Sequence, residues 1–518
     1  SDEGCEWYVC EGFQLVLKKQ AEALAALGVS PQMKDEVLGR FWRCYLQKSK
    51  QAYCIRPAGA AAKASAACES STDVDSDPGT PSLLQLLSES EGDMQSECSF
   101  ASSTTRLSGS TSAYSGSVDG SLYLKERSRE KLRMTMPMTL SFCYMALLWL
   151  REPMTLSDLL RFVVEGHIPY LNVFQHFPEK MKLYGLDLRI FCVESWPAYE
   201  EVHDTMLELA AFLDLPRFPE VTPSCFLHPD MLCMKYLMEA NLPDELHTWT
   251  CLLVRKLGLG AADVLTLVPT ERAAGRVRHD LLAAALIVVV LKLLFLLDDH
   301  YEWLLSGFAE ERNKNSTEGT CQPCFELKKW YQVISPVLAA EQKRLEEERA
   351  KCQWRSERPL CYSARQRSRV LHRRETAVRL QTQFGKLAGR VPVAGRVPAA
   401  ERPKPASFQF RWSEDGPAGS CFHGHSLRAA LDSCSPPRAL NPHYWLCTAK
   451  LCAPSMCGRL AHYRGVDFPQ SYHFVLRLFS FLLRVEPSCI HQEVCVLEHK
   501  LFHRRLTRRP RAGRGLRK

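Results

Sequence analysis

The chain has 518 residues, 46% apolar and 24% charged, with a formal net charge of +8. That length suggests roughly three domains, and the apolar share excludes wholesale disorder and allows sizeable cores. The 22 cysteines are scattered through helical-looking segments such as Cys10, Cys143, Cys233 and Cys251. A secreted disulfide framework would be short and loop-rich, so they read as reduced cysteines of an intracellular protein. The first residue is Ser1, so the N-terminus is expected to be missing or processed, and no secretory signal pattern opens the chain.

In chain order, Glu6 to Lys50 predicts two helices. Phe13, Leu15, Leu17, Leu24 and Leu27 carry the apolar face of the first. Gly28 is a stop signal, and Ser30-Pro31 supplies a cap and a first-turn proline for the second. That helix buries Val37, Leu38, Phe41, Trp42 and Tyr45 and presents Arg40, Arg43, Lys48 and Lys50. Ala58 to Ser121 is rich in Ser, Thr, Gly, Ala and Asp and reads as a disordered insertion. From Ala58 to Gly120 there are nine acids and two bases (Lys63, Arg106), a balance of −7, so the rest of the chain carries +15. Within it, Leu83 to Leu87 reads as a transient helix, and Ser88, Ser90 and Ser96 lie beside acids as candidate phosphorylation sites.

Helical texture returns at Met134. The predicted helices are Thr139 to Arg151, Leu156 to Glu165, Tyr199 to Leu213, Pro229 to Glu239, Glu245 to Leu257, and Val277 to Leu304. Strand-like alternation is scarce, so the fold class is mainly α. Leu281 to Leu297, LLAAALIVVVLKLLFLL, is apolar nearly all round and predicts a helix surrounded by other helices. A transmembrane reading competes with it, but the stretch is short for a span and Lys292 interrupts it. Arg276, Arg278 and His279 precede it and Asp298-Asp299 follow. Apart from Asp280, these oppose the macrodipole, so tertiary packing must hold this helix. Beyond Ser306, Glu341 to Arg349 reads as a charged helix, Ser363 to Pro405 as a basic proline-containing linker, and Phe474 to Val485 as a last apolar helix.

No Walker loop, HExxH or post-strand GxGxxG is present, so the chain is read as a non-enzyme. Cys321-Gln-Pro-Cys324 has the spacing of half a zinc site, without a βαβ context and with only Cys352 and Cys361 loosely following. Cys421, His423 and His425, with Cys452 and Cys457 and the nearby Cys447 and His462, are candidate zinc ligands, although their spacing matches no common knuckle. A zinc-dependent enzyme or binding module built on these clusters stays open as an alternative, beside the membrane-anchored reading. Arg504, Arg505, Arg508, Arg509 and Arg511 lie in a tail, Lys500 to Lys518, with nine bases and no acid. They are candidate phosphate contacts or a nuclear address, the alternative being a merely solvated tail.

Several long segments carry a resemblance. They include Trp7 to Phe13, Phe41 to Tyr53, Met134 to Pro137, His167 to Tyr170, Phe212 to Pro219, Leu227 to Pro229 and Cys421 to His425. In these the chain resembles the transcription factor IIB-like family, in its RNA polymerase I branch. The resemblance implies two tandem cyclin-like helical bundles and a C-terminal helical or irregular region. The boundaries expected are 1–189, containing the insertion at about 58–121, then 190–305 and 306–518, with Leu281 to Leu297 as the central helix of the second bundle. It further implies a nuclear, nucleolar component of the polymerase I promoter selectivity factor. The implied partners are TATA-binding protein, the other polymerase I-specific associated factors, RNA polymerase I and ribosomal RNA gene promoter DNA, with no membrane. Family members begin with a zinc ribbon. No CxxC pair stands near Ser1, so its zinc transfers to no residue here, and no cofactor is expected in this chain. Deleting Lys500 to Lys518 is expected to weaken nucleic-acid association or nuclear retention, read by filter binding and by imaging of the tagged chain.

Overall fold

Residue Val9 opens the first helix, α1 (Val9–Ala26), where Phe13, Val16, Leu17, Gln20, Ala21 and Leu24 face the core at helical spacing. The computed structural model describes residues 7–52, 116–120, 123, 132–171, 173–178, 180–181, 183, 185–193, 195–269, 277–315, 322–354, 379–380, 383, 406–410, 412, 420–433 and 468–506. The expected insertion, the Leu83 to Leu87 helix and Ser88, Ser90 and Ser96 lie outside them. Gly28 ends α1 with φ +101°, as the stop signal required. The chain then takes a π-helical turn, Met33–Leu38, before α2 (Gly39–Ser49). The wider i→i+5 turn brings Met33 and Leu38, five apart, both into the core.

The helix α3 (Met136–Leu150), with Pro137 in its first turn, is buried from Met136 through Leu148 apart from the half-buried Pro137. It is a second all-round buried helix, and the sequence reading does not single it out. Its Thr139 and Ser141 satisfy their hydroxyls internally: Gln20 Nε2 donates to Thr139 Oγ1 (2.9 Å) and Ser141 Oγ donates to the Val202 carbonyl (2.9 Å). Around it stand α1, the π turn, and, beyond α4 (Leu156–Val164) and α5 (Gly185–Phe191), α6 (Tyr199–Phe212). The most extensive contact of α6 is with α3, although its sequence position lies past 190.

The second bundle begins with α7 (Pro229–Glu239) and α8 (Glu245–Leu257), then the single turn α9 (Ala262–Leu265). At its centre is α10 (His279–Phe295), buried on every side except at Leu293. This confirms the buried-helix reading of the apolar stretch, and among the described residues no helix is long and apolar enough to cross a membrane. One expectation is corrected. Val277 to Leu304 is not a single helix, because the chain breaks after Phe295 and restarts as α11 (Tyr301–Asn315). Leu296, Leu297 and Asp299 all take positive φ (61°, 51° and 68°), which costs roughly 1–2 kcal/mol each for such residues. Hydrogen bonds hold the break. Asp298 Oδ1 accepts from the backbone N–H of His300 (3.0 Å) and Tyr301 (2.8 Å), while Glu302 accepts from those of Asp298 (3.1 Å) and Asp299 (2.8 Å).

Downstream come α12 (Leu327–Trp354), which contains the expected charged segment, and the short α13 (Arg428–Ser433). Last are α14 (Gln470–Leu483), close to the expected apolar helix, and α15 (Pro487–Leu506), which the sequence reading does not mark. Both α14 and α15 pack on α10, and the α10–α15 contact is among the most extensive in the molecule. The core around α10 therefore draws on residues far beyond 305. Gly12 lets α1 approach α5: a Cβ there would sit 2.5 Å from Phe191 Cζ and 3.0 Å from Trp7 Cζ3. Gly12→Ala is expected to destabilise the first bundle by about 1–3 kcal/mol despite the better helix former, read as a lowered denaturation midpoint.

Candidate nucleic-acid interface and its support

On α2 the buried face is set by Phe41, Trp42 and Tyr45, so Arg40 and Arg43, three apart, emerge together on the opposite, exposed face. Arg43 Nε donates to the Gly39 carbonyl (3.1 Å), which leaves the rest of its guanidinium outward. The other two predicted cations of this helix do not join them. Lys48 turns toward α6, where it pairs with Asp214 and donates to the Phe212 carbonyl (3.1 Å). Lys50 closes the helix in the left-handed region at φ +54°. Of the tail cations, Arg504 and Arg505 continue the backbone of α15. Arg508, Arg509 and Arg511 lie outside the described residues.

The predicted zinc ligands are placed as follows. Cys421, His423 and His425 sit on a strut that ties the α7–α8 turn to the start of α12. Asn241 Nδ2 donates to the Ser420 carbonyl (2.7 Å) and its Oδ1 accepts from Phe422 N–H (2.9 Å). His423 Nδ1 donates to the Leu242 carbonyl (3.1 Å). Phe325 N–H donates to the Ser426 carbonyl (2.8 Å), and Ser426 N–H to that of Pro323 (2.8 Å). His425 tilts over Phe422, and burial holds its imidazole below the usual histidine range. Cys452, Cys457, Cys447 and His462 lie outside the described residues, as does Cys321; Cys324 is buried beside Ser426. Among the described residues no three His, Cys, Asp or Glu side chains are gathered to hold a metal ion.

The helices are joined by a set of buried polar contacts that no motif announced. Lys292, on α10, is 1% exposed and pairs with the equally buried Glu498 of α15 at 2.5 Å. Its ammonium also lies 4.9 Å from the centre of the Tyr472 ring on α14, whose hydroxyl meets His491 Nδ1 at 2.9 Å. At the other end of α10, Asp280 accepts from Ser157 Oγ (2.5 Å) and N–H (3.2 Å) on α4, from Leu281 N–H (3.0 Å), and from the hydroxyl of Tyr199 on α6. Burial pushes that tyrosine well above the ordinary phenol range, so it stays a donor. The neighbouring Asp158, which caps α4 with Thr155, takes both its oxygens to Lys235 on α7 at 2.6 and 2.7 Å. The dipeptide Ser157-Asp158 thus joins the first bundle to the central helix and the opening helix of the second. Pairing of this kind cannot be read from sequence, since the partners lie 77, 123 and 206 positions apart.

The comparisons describe these two bundles, each built round a largely buried helix, as tandem cyclin domains. Residues 13–179 match the model "Rrn7/TAF1B, N-terminal cyclin domain" and residues 195–387 match "Rrn7/TAF1B, C-terminal cyclin domain". The chain belongs to the Rrn7/TAF1B family. It is similar to a Gallus gallus protein named as a TATA box-binding protein-associated factor of RNA polymerase I, with 66% identity over all of this chain and 88% of that protein. It is similar to the Homo sapiens protein of the same name at 45%, covering 99% of this chain and 88% of that one. It is similar to the Danio rerio one at 35%, covering 97% and 84%. The helices α14 and α15 lie beyond the second matched segment, yet they complete the core of this Rrn7/TAF1B chain.

Breaking the Lys292–Glu498 pair one partner at a time leaves a buried charge. Glu498→Gln or Lys292→Met alone is expected to cost about 3–5 kcal/mol, whereas Lys292→Met with Glu498→Leu recovers most of the loss. Denaturant melts of the two single variants and the double variant check this.

Proposed function

We propose that the chain acts by binding alone, as a nuclear and nucleolar component of the polymerase I promoter selectivity factor. It helps assemble the preinitiation complex on the ribosomal RNA gene core promoter and recruits RNA polymerase I. The observation that carries this reading is the near full-length similarity to proteins named as TATA box-binding protein-associated factors of RNA polymerase I. The physical support is the platform itself. Two bundles clamped through Asp280 and Asp158 suit a scaffold that holds several partners at fixed spacing. On this reading TATA-binding protein and the other polymerase I-specific factors dock on the bundles. Arg40 and Arg43 supply part of the sequence-independent phosphate term, joined by the basic tail, while Lys48 and Lys50 serve the fold of α2.

The test is reconstitution. An extract depleted of this chain should lose initiation from a ribosomal RNA promoter template and regain it when the purified chain is returned. The chain should also co-purify with TATA-binding protein and polymerase I. Activity that persists after complete depletion would sink the proposal. For the DNA contact, promoter-fragment binding should weaken steeply with salt. The pair Arg40→Ala and Arg43→Ala should reduce the slope of log K against log salt by about 2, one per lost phosphate contact. An unchanged slope removes this face from the interface.

A further inference from the structure

A groove of 620 Å³ runs between α4, the Trp196–Ala198 segment, α12 and α14. Val163, Val164, Leu345 and Phe481 give it apolar walls, and Arg484 lies in it. Its volume is that of a site for a small ligand or a short peptide stretch.

Arg484 is the unusual element. It follows the last turn of α14 at φ +58°, and its guanidinium lies 4.5 Å from the centre of the Phe481 ring. Nη1 donates to the Phe481 carbonyl (3.1 Å). Nε is buried without a hydrogen-bond partner, and no carboxylate oxygen of the described residues lies within 4.0 Å. Of the nearby acids, Glu341 holds Arg344 at 2.7 Å, while Glu165 lies 3.9 Å from Arg161 and acts on Arg484 only at a distance. Burial brings the Arg484 group down to about 10. A half-buried cation whose nearest acids act on it only at a distance is under-compensated, and an anion placed beside it would regain part of that loss.

The walls say what kind of anion. One half-buried cation lacks a direct ion-pair partner among the described residues, which calls for one negative charge rather than a row of phosphates. The lining includes Glu200, Glu346 and Glu486, which repel a polyanion, and the apolar walls call for apolar neighbours of that one charge. On the far side Arg349 is held over Trp196 at 5.7 Å, and Arg477 donates to Gln342 (3.1 Å). We propose that this groove docks a short acidic-apolar peptide segment of a partner protein, with a single Asp or Glu carboxylate meeting Arg484 and its apolar neighbours lying on Val163, Val164 and Phe481. Because the groove joins α4 of the first bundle to α12 and α14, a segment seated there binds both bundles at once.

The probe is a fluorescent ten-residue peptide with one aspartate between leucine and phenylalanine, and its asparagine twin, titrated by anisotropy into the full chain. The aspartate peptide is expected to bind at least about tenfold more tightly than the twin, the worth of one charge-assisted contact. Arg484→Gln should abolish that difference, with the melting midpoint recorded to confirm folding. Val164→Glu, which keeps Arg484 but places a charge in the apolar floor, should weaken the aspartate peptide by a similar factor and serves if Arg484→Gln fails to fold. Equal affinity of the twins, or no binding by either up to about 1 mM, overturns the proposal. So does displacement of the peptide by about 10 mM inorganic phosphate, which would mark a free-anion site, or by a single-stranded oligonucleotide, which would mark a nucleic-acid groove.

Discussion

The second bundle rests on one ion pair that its own helices cannot make. Residues from Leu281 to Leu291 on α10 are all buried and apolar, which makes the helix a good centre and leaves Lys292 nowhere to reach water. An ammonium buried at 1% exposure needs a carboxylate, and the one it meets belongs to Glu498, 206 positions later on α15. The C-terminal helices are therefore part of the core rather than an appendage. They cover α10, fix their register on it through the pair, and bring Tyr472 against the same ammonium.

A second constraint follows from the first. With α10 held in place, its N-terminal Asp280 sits where α4 and α6 can reach it, and the first bundle docks through Ser157, Tyr199 and the Asp158–Lys235 pair. These contacts are polar, buried and mutually satisfying, which makes them directional where apolar packing is not. The orientation of the bundles is thus set by a few side chains on one dipeptide of α4. The reversals between helices carry strain for the same end. Lys50, Arg151, Asp214, Asn241 and Arg484 all take left-handed conformations at or just after helix ends where glycine is the usual choice. Several of these side chains are employed elsewhere: Asn241 holds the 420–422 strut, Asp214 pairs with Lys48, and Arg484 lines the groove.

Much of this was legible in the residues. Four helices between Leu156 and Leu257 (α4, α6, α7 and α8) fall within a residue or two of their sequence expectations, because apolar residues at helical spacing, prolines at first turns and glycines at stops are local signals, whereas the short α5 between them was not expected. The apolar run at 281 announced a buried helix for the same reason. Its end was not legible: nothing local opposes a helix through Leu296 and Leu297 to Leu304, and the break is made by Asp298, Asp299 and Glu302 capping two later helices. Asp299 accepts from Gln470 (2.6 Å) and Ser471 (2.8 Å), the first N–H groups of α14. The acids that seemed to oppose the macrodipole of one helix complement another. The candidate site divides in the same way. Exposure of Arg40 and Arg43 follows from helical periodicity, whereas the diversion of Lys48 to Asp214 depends on where α6 packs.

The sequence by itself determined most of the helical stretches, the apolar run at 281 as the centre of one bundle, and where basic residues gather, since these depend on neighbours within a few positions. Tertiary structure alone decided which charge answers which, because burial makes an unpaired Lys292, Asp280 or Lys235 too costly and the partner that relieves each is chosen by packing, not by spacing along the chain. It also left Arg484 half-buried with no carboxylate oxygen of the described residues within 4.0 Å.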